Sequence, residues 1–236
     1  RRDPDSFEFR LDAGRDHFES VWQAPVPKEK GLNLLNMIDA ARDGKLKALW
    51  AIGYDVFLSS ADAHYSEQAF DNLELMIVQD IFMNETAKRF GHVFLPAACS
   101  FEKDGTFMNA ERRVQRVRKV VEPPGEARAD WVIIQDVARA MGKGEFFNFN
   151  SAEEIWNEIR EVWRDAYGIS YERIEEHGLQ WNCPDLDHPG ADVLHVDSFS
   201  SGKTTELRRI KYRRTKEVVN EDYPMLMNSG RSLYHF

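Results

Sequence analysis

Two rhythms of apolar residues alternate along the first two thirds of the chain. Leu34, Leu35, Ile38 and Ala41 recur at helical spacing, and Gly44 stands where it can end that helix. Residues 46–52 are then almost uninterrupted in apolar character, the pattern of a strand buried on both faces. The same reading predicts a helix of about ten residues from near Ala61, a strand over 75–79, a short helix over 86–90 and a third strand over 92–95. A helix over 129–141 ends at Gly142, and Ser151 caps another over 152–163, whose Ile155, Ile159 and Val162 share one face. Buried strands alternating with amphipathic helices predict an α/β fold, a Rossmann-like parallel sheet with helices on both faces.

The flanking stretches follow other patterns. Residues 1–30 are polar and interrupted by Pro4, Pro25 and Pro27, so they read as a covering arm with a short helix over 15–22. Aromatic and turn residues crowd 167–201, where Pro184, Pro189 and Gly190 forbid a long regular element, and the expectation is a segment wrapped across the α/β core. Basic residues alternate with Leu207 and Ile210 over 203–215, the pattern of an exposed strand, and 224–228 is apolar and extended. The predicted division is an arm (1–30), a Rossmann-like domain (31–166), a wrapping segment (167–222) and the start of a further domain (223–236).

Composition narrows the function classes. A chain of 236 residues, 42% hydrophobic, can bury one core or one core with an incomplete neighbour. No apolar run approaches the roughly 18–20 residues that cross a bilayer, and no charged-then-apolar leader opens the chain, so a cytoplasmic location without a membrane partner is expected. Because the first residue is Arg1 rather than Met, an interior piece of a longer protein is expected. The net charge of -9 argues against nucleic acid or an anionic membrane surface as a partner. Cys99 and Cys183 lie far apart and outside any CxxC pair, so they read as reduced thiols rather than zinc or cluster ligands.

Candidate binding groups gather where the predicted strands end, since ligands of open α/β sheets lie beyond the carboxyl ends of the strands where strand order reverses. Gly53 either lets backbone approach a ligand or makes a tight turn, and Asp55 and Ser59 behind it offer an acceptor and a hydroxyl. The stretch GYDVFLSS is not GxGxxG, which weakens a nicotinamide reading. Gln79 and Asp80 end the second strand, where an acid can hold ribose hydroxyls or cap the next helix. Lys103, in the turn after the third strand, can meet a diphosphate as a point charge or stay solvated. Asp130 opens a helix as a cap, and either Asp55 or Asp130 could accept the paired N–H donors of a guanine. Residues 105–109 read as a short extended run after a glycine turn, and beyond it five cations, Arg112, Arg113, Arg116, Arg118 and Lys119, form a basic stripe with Val114 and Val117 on the opposite side of any period-two strand. On pattern alone such a run is a solvated face.

Long words of the sequence carry a resemblance. VQDIFMNETA, EKDGTFMNAERRVQRVRK, PPGEARADW, GISYERIEEHGLQWNCPDLDHPG and YPMLMNSGRSLYHF resemble the large catalytic subunits of molybdenum or tungsten formate dehydrogenases, members of the bis(molybdopterin guanine dinucleotide) oxidoreductase superfamily. The resemblance runs from about Phe18 onward and matches a late portion of such a subunit. It implies a pocket for the nucleotide half of one molybdopterin guanine dinucleotide, formed by the Gly53 loop with Asp55 and Ser59, the pair Gln79–Asp80, Lys103 of the EKDG turn and Asp130 of the ADW word. It adds Ser229, Gly230 and Arg231, with Tyr234 and His235 behind, in a loop before a C-terminal β-barrel that the strand over 224–228 would open. Val56 stands where the family commonly has proline, and Asn228–Ser229 departs from the usual small-hydroxyl pair.

The implied reaction, formate to CO2 with two electrons sent onward, belongs to a complete subunit. The motifs of its metal ligand, a selenocysteine or cysteine, and of the [4Fe–4S] cluster expected in an N-terminal part are not in this sequence, so no catalytic residue or metal ligand is assigned. The implied partners are the remainder of the large subunit and an iron–sulfur electron-transfer subunit. On this view Arg113 faces an interior polar layer, while Arg112, Arg116 and Arg118 form a docking surface for one of those partners. Two relatives compete: the large iron–sulfur subunit of respiratory NADH dehydrogenases, a non-catalytic electron carrier, and a nitrate reductase sharing the NAERR word.

Overall fold

Side-chain oxygens fix where the helices begin. Asn33 accepts the Asn36 N–H to open α2 (Leu34–Arg42), Asp62 accepts that of Tyr65 at α3 (Ala63–Asp71), and Asn84 accepts that of Ala87 at α4 (Glu85–Phe90). Ser151 does the same for α6 (Ala152–Val162), through the Glu154 N–H. In this computed structural model residues 7–199, 207, 209–215, 218–228 and 230 are described. They fall into two compact units, Arg1–Leu194 and His195–Phe236.

Three strands, β1 (Ala48–Ile52), β2 (Leu75–Asp80) and β3 (Val93–Pro96), pair in parallel in that order. The register sets Ala51 beside Val78 and Gln79 beside Leu95. Because strand side chains alternate, one face presents Leu49, Ala51, Met76, Val78 and Phe94. These pack with Ile38 and Ala41 of α2, Ala69 and Phe70 of α3, and Ala87 and Phe90 of α4 in one apolar cluster. The Phe90 ring meets Phe57 and Phe70 edge-on, with centroids 5.1 and 5.4 Å away. The opposite face presents Trp50, Ile52, Leu75, Ile77, Gln79 and Val93. Gln79 is buried there, whereas Ile52, Leu75 and Val93 are exposed. The predicted α/β class, a parallel sheet flanked by helices, is the observed one. Strand order shows no reversal among the described residues.

The extended run expected over 105–109 and the alternating basic stretch pair in a second sheet, a pairing the sequence reading does not foresee. Strands β4 (Gly105–Met108) and β5 (Arg113–Val117) form an antiparallel pair, and β6 (Leu179–Gln180) adds to β5. Val114 drops from β5 into a second cluster with Trp156 of α6, Ile169, Tyr171, Ile174 and Cys183. Backbone bonds lock the wrapping segment there: Gly168 N–H donates to Cys183 O at 2.7 Å, and Cys183 N–H to Asp165 O at 2.7 Å. A short parallel bridge, Ala97 to Arg128, returns the chain beside β3 and leads into α5 (Asp130–Ala140). Helix α1 (Phe7–Trp22) is longer than the predicted 15–22, and its His17 Nε2 lies 2.5 Å from the Glu161 carbonyl of α6.

In the second unit the strands expected over 203–215 and 224–228 are corrected. The described residues there form no ladder, and Leu207, Ile210, Met225 and Met227 are exposed. A strand needs a neighbour for its N–H and C=O groups, and no described residue supplies one. Gly230 is exposed, with open space around its Cα. Ser229, Arg231, Tyr234 and His235 lie outside the described residues.

Candidate functional site

The carboxyl ends of β1, β2 and β3 carry most of the predicted groups. Gly53 follows β1 with φ +60, a left-handed turn that costs glycine least, and its N–H donates to Gln79 O at 2.8 Å. Asp55 is turned toward its own chain. Its carboxylate accepts the Thr86 hydroxyl at 2.6 Å and the backbone N–H groups of Leu58, Glu85 and Thr86 at 3.0–3.2 Å. Partial burial alone would raise its pKa; the Thr86 hydroxyl and the three amides outweigh that and hold the carboxyl below its ordinary value. Thr86 Oγ1 also accepts the Phe57 N–H at 3.0 Å, so the loop after β1 is tied to the start of α4. Ser59 is exposed at the end of that loop. Asp80 binds Ile81 N–H at 2.7 Å and Asn84 Nδ2 at 2.8 Å, shaping the loop after β2.

Three predicted residues converge. The Gln79 amide, fully buried at the end of β2, donates from Nε2 to Asp130 Oδ1 at 2.8 Å, and Lys103 Nζ pairs with the other Asp130 oxygen. Three separate elements meet here: a strand end, the turn after β3 and the first turn of α5. The Asp130 charge also sits where the α5 dipole favours an anion. Gln79 Oε1 is buried without a hydrogen-bond partner among the described residues. A groove of about 550 Å³ that shares Lys103 opens alongside, lined by the cations Lys103, Lys119 and Arg128, the carboxylates Glu102, Asp104 and Glu122, and Trp131 and the start of α6. Among the described residues no cluster of three or more His, Cys, Asp or Glu side chains could hold a metal ion, and no helix is long and apolar enough to cross a membrane.

The basic stripe is engaged within the chain, which corrects the docking expectation. Arg112, held at φ +68, sends its guanidinium to the carbonyls of Trp181, Ala191 and Asp192. Arg116 stacks over Tyr171 at 3.8 Å and reaches Glu175 at 3.1 Å, and Arg118 joins it on Glu175. Arg113 binds Gly178 O and Gln180 Oε1 at the β6 edge. The expected partner surface is therefore the wrapping segment of this same chain, whose free carbonyls need donors. Sequence reading missed Thr86 and Asn84 as the ties of the loops; the Asn–Glu–Thr start of α4 was the available signal.

Comparison with known proteins now adds to this geometry. The family model "Molybdopterin oxidoreductase" matches residues 15–140. The F420-dependent formate dehydrogenase subunit alpha of Methanocaldococcus jannaschii is 41% identical over 96% of this chain and 34% of its own length. The assimilatory nitrate reductase catalytic subunit of Bacillus subtilis is 37% identical over 94% of this chain and 32% of its own. Formate dehydrogenase H of Escherichia coli is 31% identical over 95% and 32%. The chain thus spans about a third of the length of these relatives. Among solved structures, acetylene hydratase from Pelobacter acetylenicus superposes with a TM-score of 0.53 at 22% identity, over 71% of this chain and 24% of that one, a likeness of fold. With a family model matched across the parallel sheet and these relatives along nearly all its length, the chain belongs to the molybdopterin oxidoreductase family.

Proposed function

We propose that this chain is part of a formate dehydrogenase catalytic subunit and holds the guanine dinucleotide end of a molybdopterin cofactor carrying molybdenum or tungsten. The carrying observation is the Gln79–Asp130–Lys103 constellation at the carboxyl end of the parallel sheet. A buried amide oxygen without a donor costs about 1–3 kcal/mol, and Gln79 Oε1 has none among the described residues. A nucleotide base offering an N–H donor would satisfy it, while Lys103 supplies positive charge for a diphosphate; the residues present fit the group. Asp55 and Asp80 act one step back, holding the loops after β1 and β2 in place. Gly53 and Ser59 form the exposed rim; Ser229, Gly230, Arg231, Tyr234 and His235 are proposed as cofactor-binding residues on the resemblance alone. When bound, the metal–pterin group supplies the two-electron redox chemistry. The chain's own part is to bind and orient its nucleotide end. Formate is favoured over nitrate as substrate by three archaeal formate dehydrogenase subunits at 38–41% identity. An iron–sulfur subunit and the remainder of the large subunit are the proposed partners.

The test is Lys103→Ala in the full-length subunit. A lost charge-assisted bond of roughly 1.5–3 kcal/mol should lower guanine dinucleotide and metal content about tenfold or more, with unchanged turnover per bound cofactor. Full cofactor content with lost formate turnover would mean Lys103 is misplaced. Nitrate reduction without formate oxidation by the wild-type holoenzyme would replace the substrate.

A further inference from the structure

One hydroxyl joins the loop after β1 to α4 in two ways. Thr86, fully buried in the first turn of α4, donates its Oγ1–H to Asp55 Oδ1 at 2.6 Å and accepts the Phe57 N–H at 3.0 Å. A threonine hydroxyl has one proton and two lone pairs; here the proton and one lone pair are both used, which fixes the rotor. The carboxylate it meets is filled unevenly. Oδ1 also accepts the amides of Leu58 and Thr86 at 3.2 Å, whereas Oδ2 accepts that of Glu85 at 3.0 Å. The orientation of Asp55, and with it the backbone path from Gly53 to Ser59, is thus set by an atom on another element.

The same loop has a second, apolar anchor. Val56 is buried in the cluster beneath the sheet, the Phe57 ring meets Phe90 edge-on at 5.1 Å, and the Arg89 guanidinium stacks on that ring at 4.5 Å. Apolar packing is non-directional and holds the loop on α4 without choosing its exact path. The hydroxyl is directional and makes that choice. The path matters to the candidate site because Gly53 N–H donates to Gln79 O at 2.8 Å, on the residue whose side-chain amide meets Asp130.

We infer that Thr86 is a positioning residue for the nucleotide end of the cofactor: through Asp55 and the Phe57 amide it holds the Gly53–Ser59 rim in the one arrangement that binds. This rests on the cofactor reading proposed above. Buried as it is, Thr86 acts without touching the ligand, by keeping the groups that do within a fraction of an ångström of their working positions.

The test uses the full-length subunit purified with its cofactor and reads the guanine nucleotide released by acid hydrolysis per polypeptide, before and after prolonged dialysis. Thr86→Val keeps the shape and the apolar anchors while removing the hydroxyl, and should lose cofactor roughly tenfold faster than wild type. Thr86→Ser restores the hydroxyl and should retain cofactor as wild type does. In a cycle with Asp55→Asn the double variant should be no worse than the poorer single one, since both break one linkage. Ile174→Val, a mild loss of packing in the second cluster, controls for general loosening and should retain cofactor. If Thr86→Val yields no folded subunit, Thr86→Ala, which crowds nothing, is read in its place. Wild-type retention without the hydroxyl, equal loss from Thr86→Ser or from Ile174→Val, or additive losses in the cycle would each overturn the inference. A wild-type subunit free of guanine dinucleotide would instead refute the cofactor reading, and this inference with it, before any variant is compared.

Discussion

Asp55 shows how a residue chosen for ligand chemistry can be committed to architecture. Its oxygens are filled by Thr86 Oγ1 and the amides of Leu58, Glu85 and Thr86, which join the loop after β1 to the N-terminus of α4. Replacing it by alanine strands those donors, so Asp55→Ala should cost about 2 kcal/mol at pH 7, read from urea midpoints. The pH dependence follows from the depressed folded-state pKa. A carboxyl whose folded pKa lies below its unfolded value of about 3.9 contributes fully above that value, and its contribution fades as pH falls through the folded pKa. Wild type and Asp55→Ala should therefore differ at pH 7 and converge below about pH 4; a constant gap down to pH 3 would show that the charge is not what matters. Gln79 is the opposite case, a buried amide whose Oε1 has no hydrogen-bond partner among the described residues.

Among the elements, the wrapping segment depends on close backbone approach. A Cβ on Gly168 would stand 1.9 Å from Asp185 O and 2.8 Å from Cys183 Sγ, and one on Gly178 would meet Val114 O at 2.6 Å. The nearest atom at each is a backbone carbonyl oxygen, which cannot swing aside as a side chain would. Gly168→Ala should destabilise the chain by about 3 kcal/mol or more and disturb the edge-on Trp163–Trp181 pair, 5.7 Å between centroids, visible in near-ultraviolet circular dichroism. An unchanged spectrum and midpoint would mean that segment is not seated as described. The arginines of the stripe belong to the same seating: Arg112, Arg113, Arg116 and Arg118 donate into carbonyls and Glu175, so β5 and the segment stand or fall together.

For the molecule as a whole, the chain by itself is expected to show no formate oxidation, because it spans only about a third of the length of the relatives it matches. Assay of the purified 236-residue chain with formate and an artificial electron acceptor checks this; turnover without any added polypeptide would refute it. The local code determined the parallel layer: apolar runs at β1, β2 and β3, helical periodicity at α2 and the Ser151 cap act within a few residues and can be read in order. Gln79, Lys103 and Asp130 were also legible as separate candidates, from strand ends and a helix start. That they form one hydrogen-bonded group, while Asp55 serves Thr86, is a matter of contacts across tens of residues that no spacing encodes. The second sheet was hidden for the same reason. β6 is two residues long and exists only because β5 offers it an edge, and the arginines beside it found their partners in carbonyls that the fold, not the sequence pattern, placed within reach.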